Sequence, residues 1–282
     1  MERSAPSSAA LDAYKRSQRD LWSAGDYAVT ARRLEDVAAE LVGACAVAPG
    51  QRVLDIAAGN GNGALAATAA GASAAACDLT PALVEAGRRR TSAAGVDVDW
   101  SVADAEALPF DDGSFDAAIS IFGLFLAPRP AVAIAEAFRV TGPGGAVGLA
   151  SWTPGSAAAS FAAIGRRHLP APPAADAQAL AVPSPYEWGD EAIVRERLAP
   201  HCRDVRFELA AVRWSWPSAA AAREELEESN NLVAAARRVL APERLIALVD
   251  ELDDFMRSVN TARDGGLTYE AEYARVVGRK PA

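Results

Sequence analysis

VLDIAAGNGNGALAAT, residues 53–68, decides the reading of this chain. An apolar run enters the stretch and an alanine-rich run leaves it, with Gly59, Gly61 and Gly63 spaced by asparagines between them. So much backbone freedom either makes a tight turn or lets a ligand approach the main chain. An Asn-Gly turn joining two strands is the bland choice. The right-hand flank, GALAATAA, reads as a helix rather than a second strand, so the stretch is read as strand, glycine loop, helix.

The pattern continues outward. ASAAACD (72–78) fits a buried strand, although alanine blurs the periodicity. In DLTPALVEAGRRRTSAAG, Thr80 stands at an N-cap and Pro81 at the first helical position, where its missing N–H costs nothing, and Gly95 is a stop. VDVDWSV (96–102) alternates as a strand does, FDAAISIFG (115–123) is another strand, AVAIAEAFRV (131–140) is a helix ended by TGPGG, and AVGLASW (146–152) is a strand. Strand and helix alternating at this spacing predict a parallel sheet with helices on both faces, because parallel strands need long right-handed crossovers.

Residues 10–43 read as two helices broken near Gly25. After Trp152, LPAPPAADAQALAVPSP (169–185) reads as a loop or lid, WGDEAIVRERL (188–198) as a helix and DVRFELAAVRW (204–214) as a strand. Residues 218–262 read as helices broken at Pro242, with REELEE (223–228) as a solvated face, and LTYEAEYARVVG (267–278) is the last strand.

The 282 residues suit one domain with elaborations, and a net charge of −9 weighs against nucleic acid and anionic membranes as partners. Cys45, Cys77 and Cys202 are odd in number and form no C-x-x-C, so no disulfide framework or zinc site is expected, and a reducing cytoplasm fits. The N-terminus has no apolar signal core, and no apolar run is long enough to span a bilayer.

A glycine loop after the first strand of such a sheet lies at the carboxyl edge, where ligands bind. Gly59-x-Gly61-x-x-Ala64 fits a loose dinucleotide fingerprint, but no Lys or Arg occurs from Val53 to Gly87, and Asp55 precedes the loop. A carboxylate repels a diphosphate and favours a cation. S-adenosyl-L-methionine, with its sulfonium and ammonium, suits this loop better than NAD. Asp78, 19 residues after Gly59 at the end of the second strand, is placed to accept from ribose hydroxyls or to cap the following helix. Asp104, after the third strand, is either an acceptor for an adenine amino group or a loop acid.

These residues resemble class I S-adenosylmethionine-dependent methyltransferases of the ubiquinone/menaquinone-biosynthesis-like type, the methyltransferase type 11 branch. VLDIAAGNGNGALAA looks like the family's first motif, CDLTPALVEAGRRR like the segment with its ribose acid, VADAEALPFDDGSFDAAIS like its third- and fourth-strand region, and AFRVTGPGGAVGLASW like its helix, Pro-Gly-Gly turn and fifth strand. The resemblance covers residues 50–152. WSAGDYAV and WGDEAIVRERL also resemble a mostly uncharacterised bacterial branch of that group. It implies an α/β fold with a doubly wound, mostly parallel seven-stranded sheet, arranged as an N-terminal helical cap (1–45), a cofactor-binding core (46–152), a lid with a helical insertion (153–262) and a last strand with its tail (263–282).

The resemblance also implies roles. Gly59 and Gly61, with Asn60 between them, let the loop approach the methionine part, and Asp55 orients the loop and faces the cationic end. Asp78 and Leu79 hold the ribose, Asp104 and Ala105 the adenine edge. Ser120 and Phe122 lie near the sulfonium, and Tyr27 comes from the cap. Ala57 stands where the family often has Gly, and the fourth strand ends SIFG, without the Asn/Asp-Pro-Pro-aromatic motif of many amino-group methylases.

Methyl transfer needs positioning and exclusion of water more than a fixed catalytic motif. His168 is a candidate base at the pocket mouth, and His201 reads as structural. Trp22, Trp152, Phe161, Tyr186, Trp188, Trp214 and Trp216 are candidates to line an acceptor pocket for an apolar or aromatic metabolite. The expected partner is a small-molecule methyl acceptor, with the chain a cytoplasmic monomer or homodimer. The alternatives are an NAD(P)-dependent oxidoreductase, a descendant of the fold repurposed for cyclisation or binding, and a protein or RNA methylase.

Overall fold

The structure, a computed structural model, describes residues 8–170 and 182–282. Helices α1 (Ser8–Trp22), α2 (Tyr27–Arg32) and α3 (Glu35–Ala44) come first. The break at Gly25 is present, at φ +68°. The stretch after it is two helices rather than one, because the Arg33 and Leu34 N–H groups close a turn on Thr30 and Ala31.

Strand and helix then alternate, except that β3 passes to β4 without a helix, through β1 (Arg52–Ile56), α4 (Asn62–Ala69), β2 (Ser73–Asp78), α5 (Pro81–Ala93), β3 (Val98–Val102), β4 (Phe115–Ile121), α6 (Pro130–Val140) and β5 (Thr141–Trp152). TGPGG is not a turn outside the strand but its irregular entry, where the pairing with β4 shifts register between Phe115 and Ala117. The rest is α7 (Ala157–His168), α8 (Glu191–Leu198), β6 (Val205–Trp216), α9 (Ala219–Ser229), α10 (Asn231–Ala236), α11 (Pro242–Ser258) and β7 (Leu267–Arg279). Most of the Pro-rich segment, residues 171–181, lies outside the described residues.

Seven strands form one sheet in the order β3-β2-β1-β4-β5-β7-β6, in which β7 is antiparallel to both of its neighbours. The expected doubly wound, mostly parallel α/β fold is therefore present. The alanine-rich β2 is a strand because β1 and β3 flank it, with Ala74 paired to Val53 and to Val98. Its side chains from Ala74 to Cys77 are buried. The main core runs through the sheet and its helices, and a second cluster joins α7, α9, α10 and α11 to the end of the β6–β7 ribbon, through Trp216, Leu226, Leu248, Met256 and Leu267. All three cysteines are free and buried. No helix among the described residues is long and apolar enough to cross a membrane.

Candidate active site

β1 and β4 are neighbours, but the chain leaves β1 toward β2 and β4 toward β5, so a crevice opens between their carboxyl ends. It measures about 750 Å³. Gly59 holds φ +58°, and a Cβ there would stand 2.7 Å from the Tyr27 ring, which α2 lays across the loop. The Gly59 N–H donates to Asp78 Oδ2 at 2.9 Å and the Thr80 N–H to Asp78 Oδ1 at 2.8 Å. Thr80 occupies the N-cap position, but the capping atom at this turn is the Asp78 carboxylate, since Thr80 makes no side-chain cap. Burial pushes the Asp78 carboxyl above the ordinary carboxylate range, opposed by bonds from Thr80 and Gly59. The Thr80 side chain also hydrogen-bonds this carboxylate, which keeps acceptor capacity for a further donor. Asp78 thus caps the turn and also lines the crevice.

Asp55 is placed differently from expectation. It lies behind the loop, outside the crevice lining, with Oδ2 accepting the Ala64 N–H at 2.9 Å. Its Oδ1 is buried and unpartnered among the described residues. Gly63 leaves room for this carboxylate, because a Cβ there would stand 2.6 Å from Asp55 Cγ. Burial pushes the Asp55 carboxyl up to about 7, against the Ala64 hydrogen bond and with help from the Asp78 charge. Asp55 therefore holds the first turn of α4, and Asp78 is the carboxylate that meets the crevice.

Tyr27, Ala57, Gly59, Asp78, Leu79, Asp104, Ala105 and Phe122 come together around the crevice. Ala57 and Phe122 both sit in the left-handed region, at φ +53° and +54°. Non-glycine residues pay for that conformation and keep it where the surroundings impose it. Phe122 is fixed by stacking on Trp152, with centroids 3.9 Å apart. Besides Asp55, three expected contacts, Gly61, Asn60 and Ser120, lie outside the lining. Gly61 starts α4 and packs against Trp100, 2.9 Å from the position of an added Cβ. Asn60 is turned onto Arg90, whose Nη1 donates to Asn60 Oδ1 at 3.1 Å. Ser120 Oγ donates to the Ile56 carbonyl at 2.7 Å and accepts the Leu124 N–H at 2.8 Å, so it pins the strand ends together. His168 is also corrected: its Nε2 lies 2.6 Å from Glu251 Oε2, and it is not in the crevice lining.

The crevice also has a wall the glycine loop did not announce. Tyr14, Lys15, Gln18 and Trp22 of α1 line it. Their three- and four-residue spacing is that of one helix face, a signal present in the sequence. Lys15 Nζ meets Asp104 Oδ2 at 2.5 Å and Glu106 Oε2 at 2.6 Å, while Asp104 Oδ1 accepts the Glu106 N–H. The crevice is thus not base-free, but its lysine is shared between two carboxylates. With Asp78 and Asp104 against one tied cation, it fits a cationic nucleoside better than a diphosphate.

A second cavity, of about 800 Å³, lies further along the same sheet edge. Trp152, Phe161, Trp214 and Trp216 line it, together with Val29 and Thr30 of α2. Tyr186 and Trp188 line neither space; Trp188 is buried beneath the Arg197 guanidinium. Glu225, read from the sequence as part of a solvated face, lines this cavity and is paired with Arg33 at 2.7 Å.

Comparison with known proteins agrees with the geometry. Residues 54–149 match the family described as a methyltransferase domain. An uncharacterized protein of Mycobacterium tuberculosis is 37% identical over 193 residues, 67% of this chain and 68% of its own length. A demethylmenaquinone methyltransferase of Renibacterium salmoninarum is 41% identical over 122 residues, 43% of this chain and 48% of the relative. Among solved structures, phosphoethanolamine N-methyltransferase 2 of Haemonchus contortus in complex with S-adenosyl-L-methionine superposes with a TM-score of 0.54 at 17% identity, covering 88% of this chain and 53% of that one, a likeness of fold. The strand order, the loop latched by an acid on the second strand and the sequence match lead to one conclusion: the chain belongs to the class I S-adenosylmethionine-dependent methyltransferases of the methyltransferase type 11, ubiquinone/menaquinone-biosynthesis-like branch.

Proposed function

We propose that this methyltransferase acts on a small, apolar, ring-containing acceptor. The observation that carries the reading is the adjacency of two spaces on one sheet edge: a crevice with two carboxylates and a cavity lined by aromatic rings, with the stacked pair Phe122 and Trp152 between them. The matching demethylmenaquinone methyltransferases support a quinol-type ring as the acceptor class.

When bound, S-adenosyl-L-methionine supplies a methyl group already activated on a sulfonium sulfur. The residues of this chain hold, orient and shield. Asp78 offers two acceptor oxygens to ribose hydroxyls, and the ring of Tyr27 covers the loop that Gly59 keeps open. The apolar walls, Leu79, Leu83, Phe122 and Leu126 among them, exclude water from the displacement. Asp104 is held by Lys15 and Glu106, so it needs Lys15 to move or share before it accepts from an adenine amino group.

The test is release of S-adenosylhomocysteine across a panel of hydroxylated aromatic and quinol acceptors, with labelled methyl followed into product. Transfer to at least one apolar ring acceptor is the expected result. Cofactor binding without transfer to any acceptor, or transfer confined to protein or RNA, overturns the reading.

A further inference from the structure

We propose that the second cavity is the acceptor chamber and that Trp214, Trp216 and Tyr269 form an aromatic platform in it for a planar, uncharged ring that carries an oxygen; this rests on the methyl-transfer reading above. Trp214 and Tyr269 are paired across the β6–β7 ribbon, and Trp216 lies two residues further on the same face. Trp214 is nearly parallel to both neighbours, at 21° to Trp216 and 15° to Tyr269, with centroids 6.1 and 6.3 Å away. Trp216 and Tyr269 are inclined at 35° to each other and Arg33 lies over both tryptophan rings, so the three rings form a shallow aromatic wall on whose free face a flat ring can stack.

One ring of the platform also carries a buried, unpaired donor. Trp216 is 8% exposed, yet its Nε1–H has no hydrogen-bond acceptor among the described residues. A buried donor left unpaired costs free energy, and the proposal is that an oxygen on the bound ring reaches it and relieves that cost. Tyr269 is equally buried, and its phenol hydroxyl is a donor as well as an acceptor. Arg33 lies with its Cζ 4.6 Å from the Trp216 ring centre and is neutralised by Glu225. The charge beside the platform is already compensated, which favours an uncharged ring over an anionic one.

The chamber and the crevice share a wall and a roof. Phe122 lines the crevice, Trp152 lines the chamber, and they stack on each other. Helix α2 roofs both spaces, with Tyr27 over the crevice and Val29 and Thr30 over the chamber. Arg33, just past the end of α2, ties that roof to the platform strand by donating to the Ser215 carbonyl at 3.2 Å.

The experiment uses the full chain loaded with S-adenosylhomocysteine and the probe 2-naphthol, followed by tryptophan fluorescence and calorimetry. The planar probe is expected to bind at least 10-fold tighter than its saturated analogue decahydro-2-naphthol and than naphthalene-2-sulfonate. Ala158→Trp, which fills the chamber from α7, is expected to weaken 2-naphthol more than 30-fold, and Trp216→Phe, which removes only the unpaired N–H and part of the ring, about 3- to 10-fold. Neither substitution should change S-adenosylhomocysteine affinity. If Ala158→Trp does not fold, Trp216→Phe decides. Unchanged 2-naphthol affinity in the folded variants, no planar preference, or competition between 2-naphthol and S-adenosylhomocysteine overturns the assignment. Failure of S-adenosylhomocysteine to bind the unaltered chain would instead overturn the methyl-transfer reading, whereas its binding without 2-naphthol defeats the chamber alone.

Discussion

Asp78→Asn removes one negative charge at the point where the glycine loop is tied to β2, with almost no change in shape. The carboxylate uses one oxygen for the Gly59 N–H and the other for the Thr80 N–H, at 2.9 and 2.8 Å. An amide has one oxygen, so one of those N–H groups must face an NH2 group. A hydrogen bond to a charged group contributes about 1.5–3 kcal/mol, and the lost bond sets the scale of the damage to the loop. Relief of the burial that raises the Asp78 carboxyl offsets part of it, leaving a net loss of about 1–2 kcal/mol, or a fall in Tm of roughly 2–6 °C. In the bound state the same amide can accept from one ribose hydroxyl and not both. Losing that second charged hydrogen bond corresponds to about 10- to 100-fold weaker S-adenosylhomocysteine binding. Calorimetric titration and thermal unfolding of both proteins give the two numbers. Affinity within 3-fold of the unaltered chain, at unchanged Tm, would refute the assignment of Asp78 to the ribose and to the loop.

Gly63→Ala drives a methyl group into the Asp55 carboxylate, 2.6 Å from its Cγ, and breaks the hydrogen bond to Ala64; a loss of about 3–5 kcal/mol is expected in urea unfolding. The Asp55 carboxyl is raised to about 7, so the folded state binds its proton more tightly than the unfolded chain does, and stability falls as pH rises from about 4 to about 7 and is flat above. Between pH 5 and pH 8 the unaltered chain is therefore expected to lose about 3 kcal/mol relative to Asp55→Asn in urea titrations; parallel pH profiles for the two would contradict this. Lys15→Ala removes the cation shared by Asp104 and the buried Glu106, leaving Arg129 as Glu106's remaining basic partner; destabilisation by about 1–3 kcal/mol and faster hydrogen exchange in α1 are expected.

Much of this site was legible because its devices are local. The glycine loop follows a buried strand, Pro81 starts the helix after Asp78, and alternation of strand and helix fixes the sheet edge on which ligands collect. What was not legible is direction. In β4 every residue from Ala117 to Ile121 is buried, so burial does not alternate there and nothing in the sequence separates Ser120, spent on the Ile56 carbonyl, from Phe122, which faces the crevice. Asp55 and Asp78 both end parallel strands beside the same loop, and only the packing of Gly63 on Asp55 reveals which carboxylate is taken up inside. Asn60 turns toward Arg90, 30 residues away in the chain. The platform depends on a register that brings Trp214 opposite Tyr269 across 55 residues of sequence, a pairing that no short-range pattern encodes. Lys15 belongs to a helix face that was readable by its spacing, but its partners lie about 90 residues away.

The most direct measurement is a pair of calorimetric titrations of the full chain, one with S-adenosylhomocysteine and one with NAD. Saturable binding of S-adenosylhomocysteine at one site per chain, weakened by Asp78→Asn, with no heat from NAD, is the predicted result. Tight NAD binding with no S-adenosylhomocysteine binding would contradict the account at its base.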